Sequence, residues 1–440
     1  MSNIKVRFAP SPTGMMHIGN TRTALFNWLW AKKLGGTFML RIDDTDKLRS
    51  KKEYEDVIRD NLTWLGLTWT GEARQSARFD RYNEVTEKLK KEGRIYACYE
   101  TPEELEVMRR MLIAKGQPPI YDRRALHYMA EDIARFQAEG RKPHYRFKLN
   151  DGEIKWQDMV RGEVKYNAAN LSDPIIIRED GSFLYHLPSV IDDFDFGITH
   201  IVRGEDHVTN TASQVQMFEA LGGSCPTFAH LPLLTGKEGK LSKRLGSLGV
   251  SELRAEGIEA MAISSFLAKL GTSEAIEPFY DLESLAQTLD FSKIGRSQPK
   301  FDEEELKHFN TRLIHGMPYD KIKSRVSVSE EFWNVVKANL TKVDDIHDWE
   351  KICNQNVQPI LEDRDLTSQA ALILPQEPWN EETFNQWMNE LKTKSGKKGK
   401  ELFHPIRKAL TALDNGPELK LLLPLIGREK ALKRLKGEAA

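Results

Sequence analysis

Two short segments carry residue types that suit the binding of a nucleotide's phosphate groups. HIGN (residues 17–20) lies within RFAPSPTGMMHIGNTRTALFNWLW, and KLSKR (residues 240–244) follows two glycines much later in the chain. Glycine lets a backbone approach a ligand closely, and lysine is a compact positive charge for phosphate. Each segment alone is weak evidence. A histidine before a helix is more often a cap or packing residue, and a lysine-rich loop is usually only exposed.

The elements around HIGN predict how it is held. Residues 4–8 (IKVRF) alternate apolar and basic residues and predict a strand, residues 21–33 predict a helix, and residues 38–42 (FMLRI) predict the next strand. This order predicts a parallel α/β sheet. A nucleotide in such a sheet binds outside the carboxyl ends of the strands, where a helix N-terminus attracts phosphate. HIGN occupies such a place.

The rest of the chain predicts a sheet that is begun early and completed late. Strands are expected at 174–177, 198–202 and 228–234 around a helix at 211–221, with earlier helices at 54–65 and 102–115. Between them, residues 118 to about 180 change character and predict an inserted α+β unit. From about residue 248 the pattern is helical, with breaks at Gly, Pro and Asn.

Composition narrows the class of protein. The chain has 440 residues, enough for two to four domains, and 40% hydrophobic content. It has no secretory leader pattern and no apolar run of the roughly 18 residues that span a bilayer, so a soluble, cytoplasmic protein is expected. Three widely separated cysteines fit a reducing compartment. Residues 392–440 hold 13 Lys and Arg against 5 Asp and Glu, an excess that suits an anionic partner or simply a solvated surface.

Two familiar nucleotide motifs are excluded. No G-x-G-x-x-G follows a predicted strand, which argues against a nicotinamide oxidoreductase. The segment GKEGKL (residues 236–241) has the wrong glycine spacing for a P-loop and a leucine where Ser or Thr is needed. HIGN and KLSKR therefore remain as two separate elements of one candidate site.

Together, HIGN and KLSKR resemble the two signature sequences of class I aminoacyl-tRNA synthetases. RFAPSPTG, LRIDDTD, WLGLTW, QSAR, YHLPSVIDDFDFGITHIVRGEDH and LPLLTGKEGKLSKR together resemble the glutamyl-tRNA synthetase family. The resemblance covers residues 4 to about 310 and resumes in GKELFHPIRKAL and NGPELKLLLPLIGREKALKRL.

The resemblance implies an α/β fold with a class I Rossmann-like catalytic domain, an inserted α+β unit for the tRNA acceptor stem, and an all-α C-terminal region for the anticodon. The implied boundaries are 1–97 and 181–247 for the two catalytic halves, 98–180 for the insertion, 248–320 for a helical stem-contact domain and 321–440 for a helical anticodon-binding domain. It implies that L-glutamate is activated with ATP and Mg²⁺ and then esterified to the terminal adenosine of tRNA. The stretch HYRFK (residues 144–148) is expected to contact the acceptor end.

The resemblance also assigns site residues. Those expected to catalyse are Lys240, Lys243 and His17, and those expected to bind ATP are His17, Gly19, Asn20, Asp206, His207, Leu234, Lys240 and Lys243. Those expected around the amino acid are Arg7, Ala9, Ser11, Asp43, Tyr185, Ser189 and Arg203. Arg7 and Arg203 stand in or beside apolar strands, where a charge is costly, which favours a functional role, whereas Ser11 and Tyr185 equally suit turn and packing positions.

Some residues depart from the family's pattern. Asn20 replaces a second histidine, Asp43 stands where glutamate is common, and Ser189 stands where asparagine is often seen. Some relatives bind zinc in the insertion, but here Glu100 and Ala125 occupy ligand positions beside Cys98. One cysteine with His127 does not make a tetrahedral site, so no structural zinc is expected. Elemental analysis of the purified protein tests this.

Several alternatives stay open. Some bacteria keep two enzymes of this family, and the second, a duplicate enzyme, would charge mainly the glutamine tRNA with glutamate. A non-catalytic RNA-binding relative would be expected to lose His17 or the lysines of KLSKR. A glutaminyl enzyme typically has a different opening signature, and an enzyme that modifies a tRNA base lacks the anticodon-binding half. The expected partners are tRNA and glutamate, with no membrane, and a monomer suffices.

Overall fold

The computed structural model of the protein describes residues 4–236 and 248–440. The chain divides into two compact units. Unit 1 comprises Met1–Ala255 and Ile263–Asp302, and unit 2 comprises Glu256–Ala262 and Glu303–Ala440. The five finer segments expected from the sequence stay predictions. The lysines of KLSKR lie outside the described residues.

Unit 1 contains ten described strands in three sheets. The strands are β1 (Lys5–Phe8), β2 (Thr37–Ile42), β3 (Glu72–Arg74), β4 (Ile95–Cys98), β5 (His144–Phe147), β6 (Glu153–Asp158), β7 (Gly162–Asn167), β8 (Ile175–Ile177), β9 (His200–Gly204) and β10 (Thr227–Leu231). Their order is β1-β2-β3 in the first sheet, β7-β6-β10-β9 in the second and β4-β5-β8 in the third.

The helices follow in chain order. Those that begin in unit 1 before residue 256 are α1 (Ile18–Lys33), α2 (Lys52–Trp64), α3 (Phe79–Lys91), α4 (Pro102–Ala114), α5 (Ala130–Ala138), α6 (His186–Asp195), α7 (Val208–Leu221) and α8 (Val250–Ala255). The chain continues with α9 (Ala260–Lys269), whose first residues belong to unit 2, and with α10 (Leu282–Gln287). The helices of unit 2 beyond α10 are α11 (Glu303–Gly316), α12 (Glu330–Val336), α13 (Ile346–Asn354), α14 (Arg364–Leu372), α15 (Glu381–Ser395), α16 (Lys400–Thr411), α17 (Leu419–Ile426) and α18 (Arg428–Leu435).

The first strand, helix and strand form the predicted parallel unit. β1 and β2 pair in parallel, with Arg7 opposite Met39, and α1 connects them. Val6, Leu29 and Leu40 are fully buried, and each such side chain contributes about 1.5–3 kcal/mol through removal of apolar surface from water. α1 begins at Ile18, three residues earlier than predicted, because the His17 side chain caps it.

The second sheet joins late strands to the predicted insertion. β9 and β10 are parallel, with Arg203 opposite His230, and β6 pairs in parallel with β10 on its other side. β10 ends at Leu231, three residues short of the prediction, since Pro232 has no N–H to donate to a ladder. The insertion therefore supplies part of the sheet that carries Arg203.

The third sheet contains the stretch expected to contact the tRNA acceptor end. β5 lies between β4 and β8, and His144, Arg146 and Phe147 are buried there. Only Tyr145 and Lys148 of HYRFK are partly exposed. Most of that stretch is therefore used in packing.

Unit 2 is helical, as predicted, and no strand occurs among its residues. A buried cation organises its C-terminus. Arg434 donates to the carbonyls of Ala440 at 2.7 Å, Leu410 at 2.7 Å and Gln355 at 3.0 Å. These bonds satisfy carbonyls at the ends of three segments. Within the described ranges, no helix is both long and apolar enough to cross a bilayer.

Candidate active site

A cavity of about 620 Å³ opens in unit 1 beyond the carboxyl ends of β1, β9 and β10, beside the start of α1. This is the place where a parallel sheet binds ligands. It brings together most of the predicted site residues, namely Arg7, Ala9, Ser11, His17, Gly19, Asn20, Tyr185, Arg203, Asp206, His207 and Leu234.

Asp43 and Ser189 do not line the cavity, but both contact Arg41, which does line it. The Arg41 guanidinium donates to Asp43 Oδ1 at 2.6 Å and Oδ2 at 3.0 Å, and to Ser189 Oγ at 3.0 Å. Burial raises the pKa of Asp43 to about 6, so the carboxyl is still ionised at neutral pH. Two of the three residues that depart from the family pattern thus meet at one guanidinium.

Arg7 is held by a buried carboxylate. It donates from Nε to Asp193 Oδ1 at 2.9 Å and from Nη2 to Oδ2 at 3.3 Å. Asp193 Oδ1 also accepts from Arg41 Nη1 at 2.7 Å. Although burial opposes ionisation, the two guanidinium groups hold the pKa of Asp193 below its usual range. The charge of Arg7 is therefore largely compensated within the protein.

Arg203 is held differently, by neutral groups. It donates to Tyr185 Oη at 3.0 Å, to Gln214 Oε1 at 2.7 Å and to His230 Nε2 at 3.3 Å, and its Nη2 lies 2.5 Å from Thr211 Oγ1. Only 5% of the residue is exposed. Burial lowers the pKa of Arg203, but a guanidinium stays charged at neutral pH. In the described part of the chain no carboxylate forms an ion pair with it.

Arg22, on α1, is a second buried cation at the cavity. It donates to the carbonyls of Pro232 and Leu270, both at 2.9 Å, and burial lowers its pKa to about 10. It therefore remains charged at pH 7. Like Arg203, it makes no ion pair with any residue that the structure describes.

His17 combines a cap with a ligand-facing group. Its Nδ1 accepts from the N–H of Gly19 at 3.1 Å and of Asn20 at 3.3 Å. Burial lowers the pKa of His17, so the ring is neutral and its proton lies on Nε2. The N–H groups of Gly19 and Asn20, two residues that were expected to bind ATP, are used by this cap. The Nε2–H remains available as a donor.

A second part of the cavity lining carries residues that were expected to bind ATP. The rings of Tyr185 and His207 lie 5.5 Å apart, and Asn210 Nδ2 lies 3.2 Å from His207 Nδ1. Burial lowers the pKa of His207 to about 4, so it is neutral. Asp206 and Leu234 complete this side.

Away from the cavity, three potential metal ligands come together in the insertion. One ligand atom each from Cys98, Glu100 and His144 lie within 4.8 Å of one another, and neither Glu100 Oε2 nor His144 Nε2 has a described hydrogen-bond partner. His127, which the sequence suggested, is exposed and outside the cluster. Burial raises the pKa of the Cys98 thiol to about 12, so it is protonated without a metal.

Several functional candidates were missed from the sequence, chiefly Arg22, Arg41 and Asp193. Arg41 stands in the apolar strand FMLRI, which is the same signal that singled out Arg7 and Arg203. Arg22 and Asp193 lie on helices, where charged residues usually face solvent, so only the fold reveals their burial.

The geometry agrees with comparisons to known proteins. Residues 3–308 match the family model for tRNA synthetases class I (E and Q), catalytic domain, and residues 274–438 match that of an anticodon binding domain. The expected fold class is thereby confirmed.

Full-length relatives support the same family. The chain is 52% identical to glutamate–tRNA ligase 1 of Maricaulis maris, covering 99% of this chain and 100% of the relative, and 51% identical to glutamate–tRNA ligase of Azospirillum brasilense, covering 100% of both. It is also similar to the crystal structure of a glutamate tRNA ligase from Elizabethkingia meningosepticum in complex with its amino acid, with a TM-score of 0.82, 28% identity and coverage of 99% and 98%. The chain belongs to the glutamyl-tRNA synthetase family of class I aminoacyl-tRNA synthetases.

Proposed function

We propose that the chain is a glutamate–tRNA ligase. The α-carboxylate of L-glutamate attacks the α-phosphate of ATP and releases pyrophosphate. The terminal ribose hydroxyl of tRNA then takes the glutamyl group and releases AMP. The observation that carries the proposal is the buried Arg203 guanidinium, which faces the cavity and has only neutral hydrogen-bond partners among the described residues.

Arg203 selects a carboxylate because its charge needs a partner. A glutamate carboxylate supplies that partner, whereas the neutral amide of glutamine leaves the guanidinium uncompensated in a buried site. The Tyr185 hydroxyl, which Arg203 already contacts, positions the guanidinium from one side. Arg7, with Ala9 and Ser11 beside it, borders the rest of the amino-acid site. In this proposal Asp43 and Ser189 act through Arg41 and do not touch the substrate.

The nucleotide is held by donors and positive charge. His17 donates from Nε2 to a phosphate oxygen, and Arg22 adds a fixed positive charge nearby. Asn20, Asp206, His207 and Leu234 surround the adenosine. Lys240 and Lys243 are proposed to stabilise the charge that develops on the phosphates. Mg²⁺ bound with ATP would supply positive charge at the phosphates, and because it would keep several of its waters it needs no dedicated protein cage.

We retain the proposal that the chain has no structural zinc. Cys98, Glu100 and His144 offer three ligands, whereas a structural zinc site uses four protein ligands. Glu100 Oε1 is already occupied, since it accepts from Tyr121 Oη at 2.8 Å and Tyr128 Oη at 2.6 Å. The nearby Arg146 guanidinium lowers the pKa of His144 further after burial, and its charge also opposes a dication.

The insertion and unit 2 are proposed to bind tRNA, the former at the acceptor end and the latter at the anticodon. The basic excess over residues 392–440 supports this for unit 2. We propose a monomer acting in the cytoplasm, where charged tRNA is used in translation.

A charging assay tests the function and its alternatives. The protein is mixed with ATP and Mg²⁺, labelled glutamate or glutamine, and purified glutamate or glutamine tRNA, and acid-precipitable label is measured. The expected result is glutamate on the glutamate tRNA, with little label from glutamine. Preferential charging of the glutamine tRNA with glutamate identifies the duplicate enzyme. Absence of any ester supports the non-catalytic relative and contradicts the proposal.

A further inference from the structure

A buried acid and imidazole lie directly behind Arg203. His230 Nδ1 lies 2.5 Å from Asp158 Oδ2, and His230 Nε2 accepts from Arg203 Nε at 3.3 Å. Both His230 and Asp158 are essentially inaccessible to solvent. Asp158 ends β6 in the insertion, His230 lies on β10 and Arg203 on β9, so the three side chains cross three neighbouring strands.

The hydrogen bonds fix which nitrogen of His230 carries the proton. Asp158 Oδ1 accepts from the backbone N–H groups of Val160 and Arg161, both at 3.0 Å, and of His230 at 3.2 Å. These donors stabilise the ionised form of Asp158, and an ionised carboxylate can only accept hydrogen bonds. The proton between the two groups therefore lies on His230 Nδ1, which donates to Asp158 Oδ2. Nε2 is then a lone-pair acceptor that faces Arg203 Nε at 3.3 Å and the Thr211 hydroxyl at 2.8 Å. Thr211 Oγ1 is itself a partner of Arg203 Nη2, so both contacts of Nε2 lead to the same guanidinium. The ring is held in plane by Phe228, stacked at 18°.

The imidazole of His230 also keeps the Asp158 carboxylate apart from the Arg203 guanidinium. Arg7 pairs directly with a carboxylate, and its charge is largely compensated. Arg203 is anchored to a carboxylate only through a neutral ring, so its orientation is fixed while its charge stays available to a ligand. A direct acid at position 230 would orient the guanidinium equally well but would compete with a substrate carboxylate.

We propose that His230 and Asp158 are positioning residues for amino-acid selection: Asp158 fixes the tautomer and plane of His230, and His230 aims the Arg203 guanidinium at the substrate carboxylate without neutralising it. This rests on the proposed role of Arg203. It also explains why a strand of the insertion is built into the catalytic sheet, because that strand supplies the acid.

Three variants test the proposal in the charging assay. His230→Phe keeps a flat ring but removes the acceptor, His230→Gln retains an acceptor near the Nε2 position, and His200→Phe is the matched control. His200 is a partly buried histidine at the start of β9, and its ring packs on Trp30 away from the cavity. Each variant is checked for an unchanged thermal midpoint, and the KM for glutamate, the KM for ATP and kcat are measured separately.

His230→Phe is expected to raise the KM for glutamate about 10- to 100-fold, as expected for a misaimed binding group, while the KM for ATP changes little. His230→Gln should recover most of that loss, and His200→Phe should resemble the wild type. Equal rises in both KM values, or a glutamate KM in His230→Phe no higher than in His200→Phe, overturn the proposal.

A coupling measurement separates this proposal from the role of Arg203 itself. In an Arg203→Ala background, adding His230→Phe should change kcat/KM for glutamate by less than about twofold, because His230 is proposed to act only through Arg203. If Arg203→Ala alone leaves kcat/KM for glutamate unchanged, the proposed role of Arg203 fails. If Arg203→Ala reduces it but His230→Phe reduces it equally in both backgrounds, only the positioning role fails.

Discussion

At the scale of single residues, the four arginines that line the cavity differ in whether a carboxylate balances their charge. Arg7 and Arg41 share buried carboxylates, whereas Arg22 and Arg203 are held by carbonyls and other neutral groups. Burying an uncompensated charge is costly, so such groups are expected where a ligand supplies the missing charge. In the proposed reaction, an anionic amino acid and a nucleotide triphosphate each bring negative charge to this cavity.

Two of the three residues that depart from the family pattern have a shared location. Asp43 and Ser189 both contact Arg41, and Arg41 also contacts Asp193, the partner of Arg7. Replacing a glutamate by the shorter aspartate and an asparagine by serine therefore changes the same buried network. From sequence these positions were interpreted as separate substrate contacts, because spatial convergence on Arg41 is invisible in the linear order.

At the scale of elements, the N-terminus of α1 couples the fold to the proposed nucleotide site. His17 caps the helix with Nδ1 and is left with Nε2–H as the group that faces the ligand. The cap depends on Gly19, since a Cβ at this position would lie 3.1 Å from both Cε1 and Nδ1 of the His17 ring. The imidazole would have to move by a few tenths of an ångström.

Gly19→Ala should therefore weaken ATP binding without loss of stability. Alanine favours helix over glycine by up to about 1 kcal/mol, which offsets the cost of the displaced cap. We expect the KM for ATP to rise about fivefold or more, because the displaced His17 ring no longer directs its Nε2–H at the phosphate. The KM for glutamate should change little. Steady-state charging kinetics and a thermal midpoint measure both effects.

Gly14→Ala is the matched control for this prediction. It lies in the same loop before α1, and a Cβ there meets no atom within 4 Å. A KM for ATP in Gly19→Ala equal to that in Gly14→Ala contradicts the proposed role of the cap.

The sequence predicted most of these elements but not all of their partners. The alternation of IKVRF and the strand-helix-strand order sufficed for the parallel β1 and β2 pair. The pairing of β6 with β10 was not predictable, because it joins residues about seventy positions apart and depends on how the insertion folds back. For the same reason the role of Asp158 could not be predicted from the sequence, because the residue simply ends an ordinary strand pattern, GEIKWQD.

At the scale of the whole molecule, charge is distributed unevenly along the chain. The overall net charge is -1, yet the C-terminal residues of unit 2 are strongly basic. Many of those lysines are balanced by nearby acids, as Lys420 is by Glu381 and Lys433 is by Glu429. Lys398 and Lys400 are exposed and form no ion pair with a described residue. Such lysines are the ones available for phosphate contacts.

The double variant Lys398→Ala and Lys400→Ala should weaken tRNA binding and reduce its dependence on salt. Each phosphate contact contributes about one to the slope of log K against log salt, so we expect the slope to fall by about 1 to 2. Filter binding of the tRNA between low and moderate KCl measures it. The double variant Lys420→Ala and Lys433→Ala, which removes balanced lysines, should change the slope much less. Equal slopes in the two double variants contradict this assignment.

The most direct test of the central claim is the kcat/KM for glutamate in Arg203→Met, measured in the tRNA charging assay. Methionine keeps an unbranched side chain in the buried site, but it is shorter than arginine and carries no charge. We expect a loss of about 2 to 5 kcal/mol in transition-state stabilisation, as for removal of one partner from a buried charge pair, with the KM for ATP nearly unchanged. Arg81→Met, which alters a surface ion pair with Asp195, is the control and should stay close to wild type. A folded Arg203→Met enzyme with the wild-type kcat/KM for glutamate contradicts the account.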